Sequence, residues 1–211
     1  MADHATAEGN GRDPAQVRAP DPLSELAKRA AAGDLPATGQ LLRSVGPRVA
    51  GAARAVLGPA HPDLDDAIQQ AMIALVQALP AFRGECSAAS YAARITVRIA
   101  VATRRSARVR RGRGDELAAR EPPPEPVASP SDDSVAERRR TLLRDLLAEI
   151  PEEQAETLAL RVVMGWSLEE VSASTGAPIN TVRSRLRLAR EALRRRIESD
   201  PRLAEELEVA P

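Results

Sequence analysis

Apolar residues recur every three or four positions through most of the chain between Pro22 and Arg111, which is the spacing of one face of an α-helix. Breaks that contain glycine or proline interrupt this pattern at Gly33-Asp34, at Gly58-Pro59 and between Pro80 and Ser87. The pattern therefore predicts four helical segments, over residues 23–30, 41–56, 64–79 and about 88–111.

A second helical pattern begins at Glu137 and runs to about Ile197, with a stop at Pro151 and another at Gly165. Between the two patterns lies a proline-rich, acidic stretch that offers little to bury, so we expect a linker without regular helix there. We predict an all-α protein of two small helical domains. The predicted boundaries are a flexible tail at 1–20, a first domain at 21–111, a linker at 112–136, a second domain at 137–198 and an acidic tail at 199–211.

The most informative local pattern lies in the second domain. Ser167 and Glu170 have the spacing of a capping box, in which each side chain bonds the other residue's backbone N–H. The helix that they open should end at Gly176, because a left-handed turn residue carries no steric penalty when it is glycine. Asn180 is then a good N-cap for a second helix, and this order predicts a helix-turn-helix with Val171, Ile179, Val182 and Leu186 inside.

Charge is balanced over the whole chain but not along it. The 30 basic residues equal the 30 acidic ones, and Lys28 is the only lysine among them. Arginines crowd residues 94–113 and the second helix of the helix-turn-helix, which favours a polyanion such as DNA. The first residues of a recognition helix usually reach base edges, so the base-facing candidates are Asn180, Thr181, Arg183, Ser184 and Arg187. Solvated helix faces rich in arginine remain the alternative for both stretches.

Composition excludes several classes of protein. Only 1% of residues are aromatic, which disfavours a β-sandwich or barrel. A single cysteine, Cys86, rules out an internal disulfide framework and a multi-cysteine zinc site, and it is more typical of an inert thiol than of a redox sensor. No apolar run is long enough for a membrane span, and the first residues lack the apolar region of a secretory signal. We therefore expect a cytoplasmic protein that is not an enzyme and that needs no metal or cofactor.

The two helical patterns together resemble the extracytoplasmic-function sigma factors of bacterial RNA polymerase. Residues 21–111 are similar to sigma region 2 in LAKRAAAGD, GPRVAGAARAVLG and DLDDAIQQAMIALVQALPAFRGE. Residues 137–197 are similar to region 4 in LLAEIPEEQAETLALRVVMGWSLEEVSASTGAPINTVRSRLRLAREALRRRI. The resemblance implies binding to core polymerase, recognition of promoter DNA and, in many members of the family, control by an anti-sigma factor.

The resemblance also implies roles for individual positions. The helix that carries Asp65, Asp66, Gln69 and Gln70 would dock on the clamp helices of the polymerase β′ subunit, although acids near a helix start also suit ordinary capping. The loop from Phe82 to Ser90 would capture a flipped base of the minus-ten element, with Phe82, Arg83 and Gly84 matching the family. The next helix would follow the promoter backbone through Arg94, Arg98, Arg104 and Arg105. The helix from Asn180 would read the minus-thirty-five element.

Some positions differ from the family pattern. Tyr91 stands where tryptophan is common, Arg98 stands where asparagine is common, and the third helix lacks aromatic residues. Stacking on aromatic rings usually supports single-strand binding. Because such rings are scarce here, we expect melting of the promoter duplex to depend more on base capture and arginine contacts than on stacking. Trp166 is expected to be a core anchor. Two other functions stay open from the residues alone: a stand-alone helix-turn-helix regulator that binds operator DNA, and a helical adaptor whose arginines bind an acidic protein.

Overall fold

The computed structural model describes residues 23–115 and 132–199, and these two stretches are entirely helices and short connections. The predicted all-α fold is confirmed. The α-helices are α1 (Ser24–Ala31), α2 (Leu35–Leu57), α3 (Leu64–Ala78), α4 (Ala88–Asp115), α5 (Asp132–Glu149), α6 (Glu152–Leu158), α7 (Leu168–Thr175) and α8 (Ile179–Glu198). A 3-10 turn at Leu79–Ala81 follows α3, and a π-helical turn at Ala159–Val163 continues α6.

Helices α1 to α4 form a bundle in which α2 packs on α1, α3 and α4. Asp34 starts α2, because its carboxylate accepts a 2.9 Å hydrogen bond from the Ala37 N–H. The buried stripe of α2 includes Leu41, Val45 and Val49, which join Leu75 of α3 in one core cluster. The helical spacing of apolar residues in the sequence therefore identified the packed faces of this bundle.

The second unit contains the predicted helix-turn-helix. The Ser167 hydroxyl accepts from the Glu170 N–H while the Glu170 carboxylate accepts from the Ser167 N–H, so the capping box is confirmed. Gly176 ends α7 with a left-handed φ of 68°, as predicted. The predicted N-cap of α8 is wrong: the helix begins at Ile179 after Pro178, and Asn180 already lies in its first turn. There its side-chain oxygen accepts a hydrogen bond from Arg183 instead.

Regular helix extends into both ends of the predicted linker, residues 112–136. Helix α4 continues to Asp115 and α5 begins at Asp132, so the expectation of no regular helix over 112–136 is wrong at its edges. The prolines of the predicted linker, the tail at 1–20 and the tail residues after Ser199 lie outside the described residues.

The two units share a continuous core. One hydrophobic cluster joins Val56 and Val97 of the first unit to Leu146, Leu147 and Trp166 of the second. Trp166 is only 5% exposed, which confirms the prediction that it anchors a core. The sequence patterns predicted two tethered domains without predicting this contact. In the described ranges, no helix combines the length and the apolar character that crossing a bilayer requires.

The conformation at Gly176 makes a testable prediction. A Cβ added at Gly176 would meet nothing within 4 Å, so Gly176→Ala carries only the backbone cost of the left-handed conformation. We expect a loss of about 1–2 kcal/mol in the free energy of unfolding, measured by urea denaturation.

Gly51→Ala is the matched control, because Gly51 lies inside α2 and its added Cβ would also meet nothing within 4 Å. Alanine is favoured over glycine in a helix, so this variant should gain about 0.5–1 kcal/mol. Shifts of the same sign in the two variants would contradict the conformation assigned to Gly176.

Candidate nucleic-acid interface

Helix α8 presents a polar face opposite its buried face. Val182, Leu186 and Ala189 are buried, and α8 packs on α6 and α7. The base-facing candidates lie on the other side: Asn180, Arg183, Ser184 and Arg187 are exposed, and Thr181 is half-buried. The apolar residues of α8 recur at helical spacing, so they lie on one side of the helix. The polar side chains of its first two turns therefore face solvent.

A basic groove of about 420 Å³ runs beside α8. Its charged lining comes from α8 and from Arg161 of the π-helical turn, and it consists of Arg161, Arg183, Arg187, Arg190, Glu191 and Arg194. The Arg161 guanidinium is held by a 2.7 Å hydrogen bond to the Trp166 carbonyl. Sequence reasoning missed Arg161, because it lies on a different element and no spacing along α8 could reveal it. The groove has the charge that phosphate groups would bind.

Helix α3 carries the acidic and amide residues predicted to dock on polymerase. Asp65, Asp66, Gln69 and Gln70 are all exposed, opposite the buried Leu64, Ala67 and Ala71. Asp63 precedes the helix without capping it through its side chain, and its carboxylate instead pairs with Arg110 of α4. The four candidates therefore share one open surface of the first bundle.

The loop predicted to capture a base lies between the 3-10 turn and α4. Phe82 is half-buried and its ring lies 4.9 Å from that of Tyr91, tilted by 48°. Arg83 is exposed, and Gly84 has a φ of 74°, a left-handed conformation that glycine adopts without strain. Cys86 lies in the same loop with intermediate exposure.

This loop faces the second unit across a cleft of about 270 Å³. Phe82, Arg83 and Tyr91 line one side, and residues 173–176, where α7 ends, line the other. The candidate base-capture residues and the helix-turn-helix are thus close in space although far apart in sequence.

Four arginines of α4 are paired with acids of α5 and α6. The Arg94 guanidinium lies 3.0 Å from a Glu156 carboxylate oxygen, and the Arg98 guanidinium lies 3.3 Å from one of Glu152. Arg108 pairs with Glu149 in the same way. Arg105, the remaining candidate of this helix besides Arg104, is exposed.

Arg104 is the buried member of this set. Its side chain is 8% exposed, and its two terminal nitrogens donate 2.9 Å hydrogen bonds to the Leu57 carbonyl and to the Asp145 carboxylate. Its Nε is buried without a hydrogen-bond partner among the described residues. Burial lowers the pKa of the Arg104 guanidinium from its usual value, and the Asp145 charge opposes that shift. In this arrangement Arg104 has no surface with which to contact DNA.

The structure therefore separates the site residues into three surfaces. Helix α8 and the α3 face are open, whereas three of the four α4 candidates are engaged by acids of the second unit. Sequence reasoning missed those acids, although Asp145, Glu149, Glu152 and Glu156 recur at helical spacing. Among the described residues, no group of three or more histidine, cysteine or acidic side chains could hold a metal ion.

Comparison with protein families matches both units. A family model for sigma-70 region 2 matches residues 41–110, and one for sigma-70 region 4 matches residues 140–193. The first range covers most of α2 through α4, and the second runs from the middle of α5 through the greater part of α8.

Curated sigma factors are similar to this chain, and two solved structures also align with it. The ECF RNA polymerase sigma-E factor of Escherichia coli is 29% identical over 146 residues, which span 64% of this chain and 74% of that protein. The sigma-E factor of Haemophilus influenzae is 25% identical over 143 residues, with 64% and 75% covered. Among solved structures, CnrH in complex with the cytosolic domain of CnrY aligns with a TM-score of 0.49 at 23% identity, covering 83% of this chain and 97% of that chain. The sigma factor RpoE of Bartonella quintana, in complex with the anti-sigma factor NepR, aligns with a TM-score of 0.43 at 20% identity, covering 82% and 98%.

The order of the matches is the order of the two folded units. Region 2 falls on the bundle that carries the α3 docking candidates and the α4 arginines, and region 4 falls on the helix-turn-helix. With both regions in place and homologous ECF sigma-E factors, the chain belongs to the extracytoplasmic-function type of RNA polymerase sigma factor.

Proposed function

We propose that this sigma factor divides its work between its two units. Region 2 binds the β′ clamp helices of core RNA polymerase and the minus-ten element, and region 4 reads the minus-thirty-five element as duplex. The protein acts as a non-enzymatic specificity subunit in the cytoplasm, where promoter DNA and polymerase are found. The observation that carries this proposal is the outward face of α8, on which Asn180, Arg183, Ser184 and Arg187 are exposed together.

The geometry of α8 supports reading in the major groove. Val182 and Leu186 fix the helix against its own unit, so Arg183 and Arg187 stand one turn apart on the free side. Arginine offers paired donors that match the O6 and N7 acceptors of guanine. The groove lined by Arg161, Arg190 and Arg194 continues that face and supplies charge for phosphates, which position the helix without reading sequence.

The exposed surface of α3 supports docking on polymerase. Asp65, Asp66, Gln69 and Gln70 offer two carboxylates and two amides, while the apolar residues of the same helix are committed to the bundle core. Such a surface suits a partner with complementary basic and polar side chains, and charge complementarity increases both the rate and the specificity of association.

The loop after α3 supports capture of an unstacked base. Phe82 packs against Tyr91, whose hydroxyl donates a 3.3 Å hydrogen bond to the Ala78 carbonyl, so the aromatic pair is held by the end of α3. Arg83 projects beside it and provides a cation for the adjoining phosphate. We propose that Arg94, Arg98, Arg104 and Arg105 follow the promoter backbone from this point. An anti-sigma factor is a further proposed partner, and the sigma factor RpoE is described in complex with one, NepR.

Charge reversal tests the docking surface. We expect Asp65→Lys/Asp66→Lys to weaken binding to core polymerase by roughly tenfold or more, because like charges then face each other at the interface. Fluorescence anisotropy of the labelled sigma factor, titrated with core enzyme, measures the effect.

The control is Glu25→Lys/Glu198→Lys, which reverses two exposed acids on α1 and at the end of α8. Acids in a first helical turn stabilise it by about 0.3–1 kcal/mol each, so helicity of the test variant is checked by circular dichroism. A folded test variant that binds core enzyme as tightly as the control would rule out this docking surface.

Alanine substitution tests the recognition helix. On a promoter identified by mapping transcript starts, Arg183→Ala and Arg187→Ala should each cost about 1–3 kcal/mol of binding to the upstream element and relax its specificity. The measurement is competition of intact and scrambled upstream duplexes for the holoenzyme. Arg190→Ala, in the basic groove, serves as the comparison and should weaken both duplexes alike. Equal losses on intact and scrambled duplex for Arg183→Ala and Arg187→Ala would reduce these arginines to phosphate contacts.

A further inference from the structure

The arginines of α4 and the acids of region 4 form a ladder of ion pairs. Asp145 and Glu149 lie one turn apart on α5, and Glu152 and Glu156 lie one turn apart on α6. Each carboxylate meets a different arginine of α4, respectively Arg104, Arg108, Arg98 and Arg94. Four anionic groups at helical spacing thus lie along the helix that is proposed above to follow the promoter backbone.

Carboxylates can occupy these arginines in place of phosphates, because a guanidinium forms the same paired hydrogen bonds with either group. The contact also blocks the way to the base-capture loop, since the end of α7 forms the far side of the cleft that Phe82 and Arg83 line. While region 4 stays in this position, promoter DNA would have to displace its acids from Arg94, Arg98 and Arg104, and it would meet the end of α7 at the cleft beside Phe82.

We propose that region 4 of this chain is an internal inhibitor of region 2, in which Asp145, Glu149, Glu152 and Glu156 stand in for promoter phosphates along α4. The inference rests on the proposed role of α4 in DNA binding. The free protein is closed and binds DNA weakly; the α3 docking surface stays exposed in the closed form, so core polymerase can bind first.

We call the contact between α4 and the acids of α5 and α6 the latch. Its interactions suit reversible closure. One of the pairs is largely open to water: the Arg98 and Glu152 side chains are 66% and 45% exposed, and such a pair is individually weak. Arg104 is buried with an unpartnered Nε, which opposes closure, whereas the shared apolar cluster around Leu146 and Leu147 favours it. Opposing contributions of this kind suit an equilibrium that a binding partner can shift.

Neutralising the two acids of α6, Glu152 and Glu156, tests the latch. Glu152→Gln/Glu156→Gln removes two charges from the ladder, keeps the side-chain shape and leaves Asp145 beside the buried Arg104. We expect this variant to bind a labelled single-stranded DNA oligonucleotide of mixed sequence roughly three- to tenfold more tightly than the wild-type chain, because weak closure pairs no longer reduce the competent fraction. Fluorescence anisotropy without polymerase measures the affinity.

The matched control is Glu25→Gln/Glu198→Gln, which changes net charge by the same amount at two exposed acids outside the ladder. Its gain in affinity reports general charge alone. A ladder variant that binds DNA no more tightly than this control would overturn the proposal.

A distance measurement reads closure directly. Spin labels are attached through Ser44→Cys in α2 and Ser199→Cys after α8, in a Cys86→Ser background. Pulsed electron paramagnetic resonance then measures the distance between the two units. The wild-type chain should give a narrow, short distribution, and both the ladder variant and added core polymerase should add longer distances. A broad distribution in the free wild-type chain would also overturn the latch.

Binding to core polymerase separates this inference from the function on which it rests. The ladder lies outside the α3 surface, so the variant should bind core enzyme as tightly as the wild-type chain. If both bind core enzyme but the variant gains nothing on DNA, only the latch fails. If neither binds core enzyme, the proposed function of region 2 fails instead.

Discussion

The contact between the two halves depends on how the Arg104 guanidinium is satisfied where α4 meets α5. A charged group removed from water is costly unless it is paired, and here the Leu57 carbonyl and the Asp145 carboxylate provide that pairing. Because the two acceptors come from α2 and α5, both hydrogen bonds form together only when the three helices keep one register. The surrounding apolar residues provide favourable burial, and the arginine determines which relative position of the helices allows it.

This constraint gives the chain's arginines two kinds of environment. The arginines of α4 are bound by acids from another part of the chain, while Arg183 and Arg190 of α8 remain open to the surroundings. The use of arginine in place of lysine suits both environments. The guanidinium is planar and always charged, and it binds carboxylates and phosphates with the same geometry. The balanced net charge therefore reflects an internal match between basic and acidic helices, as well as the segregation visible along the sequence.

Local patterns in the sequence were enough to predict the helices and the helix-turn-helix. The capping box at Ser167 and the glycine at 176 are short-range features whose physics does not depend on the rest of the fold. Asn180 was wrongly predicted to be the N-cap, because α8 already begins at Ile179: Pro178, whose ring fixes its φ, precedes the first turn, and no side chain caps the helix. The end of α4 was placed too soon for a similar reason: glycine lowers helix propensity without forbidding a helix.

Contacts between distant segments could not be predicted in this way. The pairing of Arg94 with Glu156, or of Arg104 with Asp145, joins positions that no periodicity relates, and Arg161 reaches the groove of α8 from a separate element. Most candidate residues of α3, of the capture loop and of α8 are exposed as a binding role requires, whereas Phe82 and Thr181 are half-buried, and the individual contacts of all of them stay predictions. The sequence thus indicated candidate surfaces, but it could not predict which of them other parts of the folded chain cover.

Covalent connection has one more consequence for the covered helix. Residues 116–131 join α4 to α5, so the acidic helices are always near their arginines whatever the amount of protein. Re-closure is a unimolecular event, and dilution leaves it unchanged, whereas capture by polymerase slows as either partner becomes scarce. A cell with few copies of this chain would therefore hold most of them folded back on themselves, and raising the supply of available enzyme would recruit them without any change in the chain.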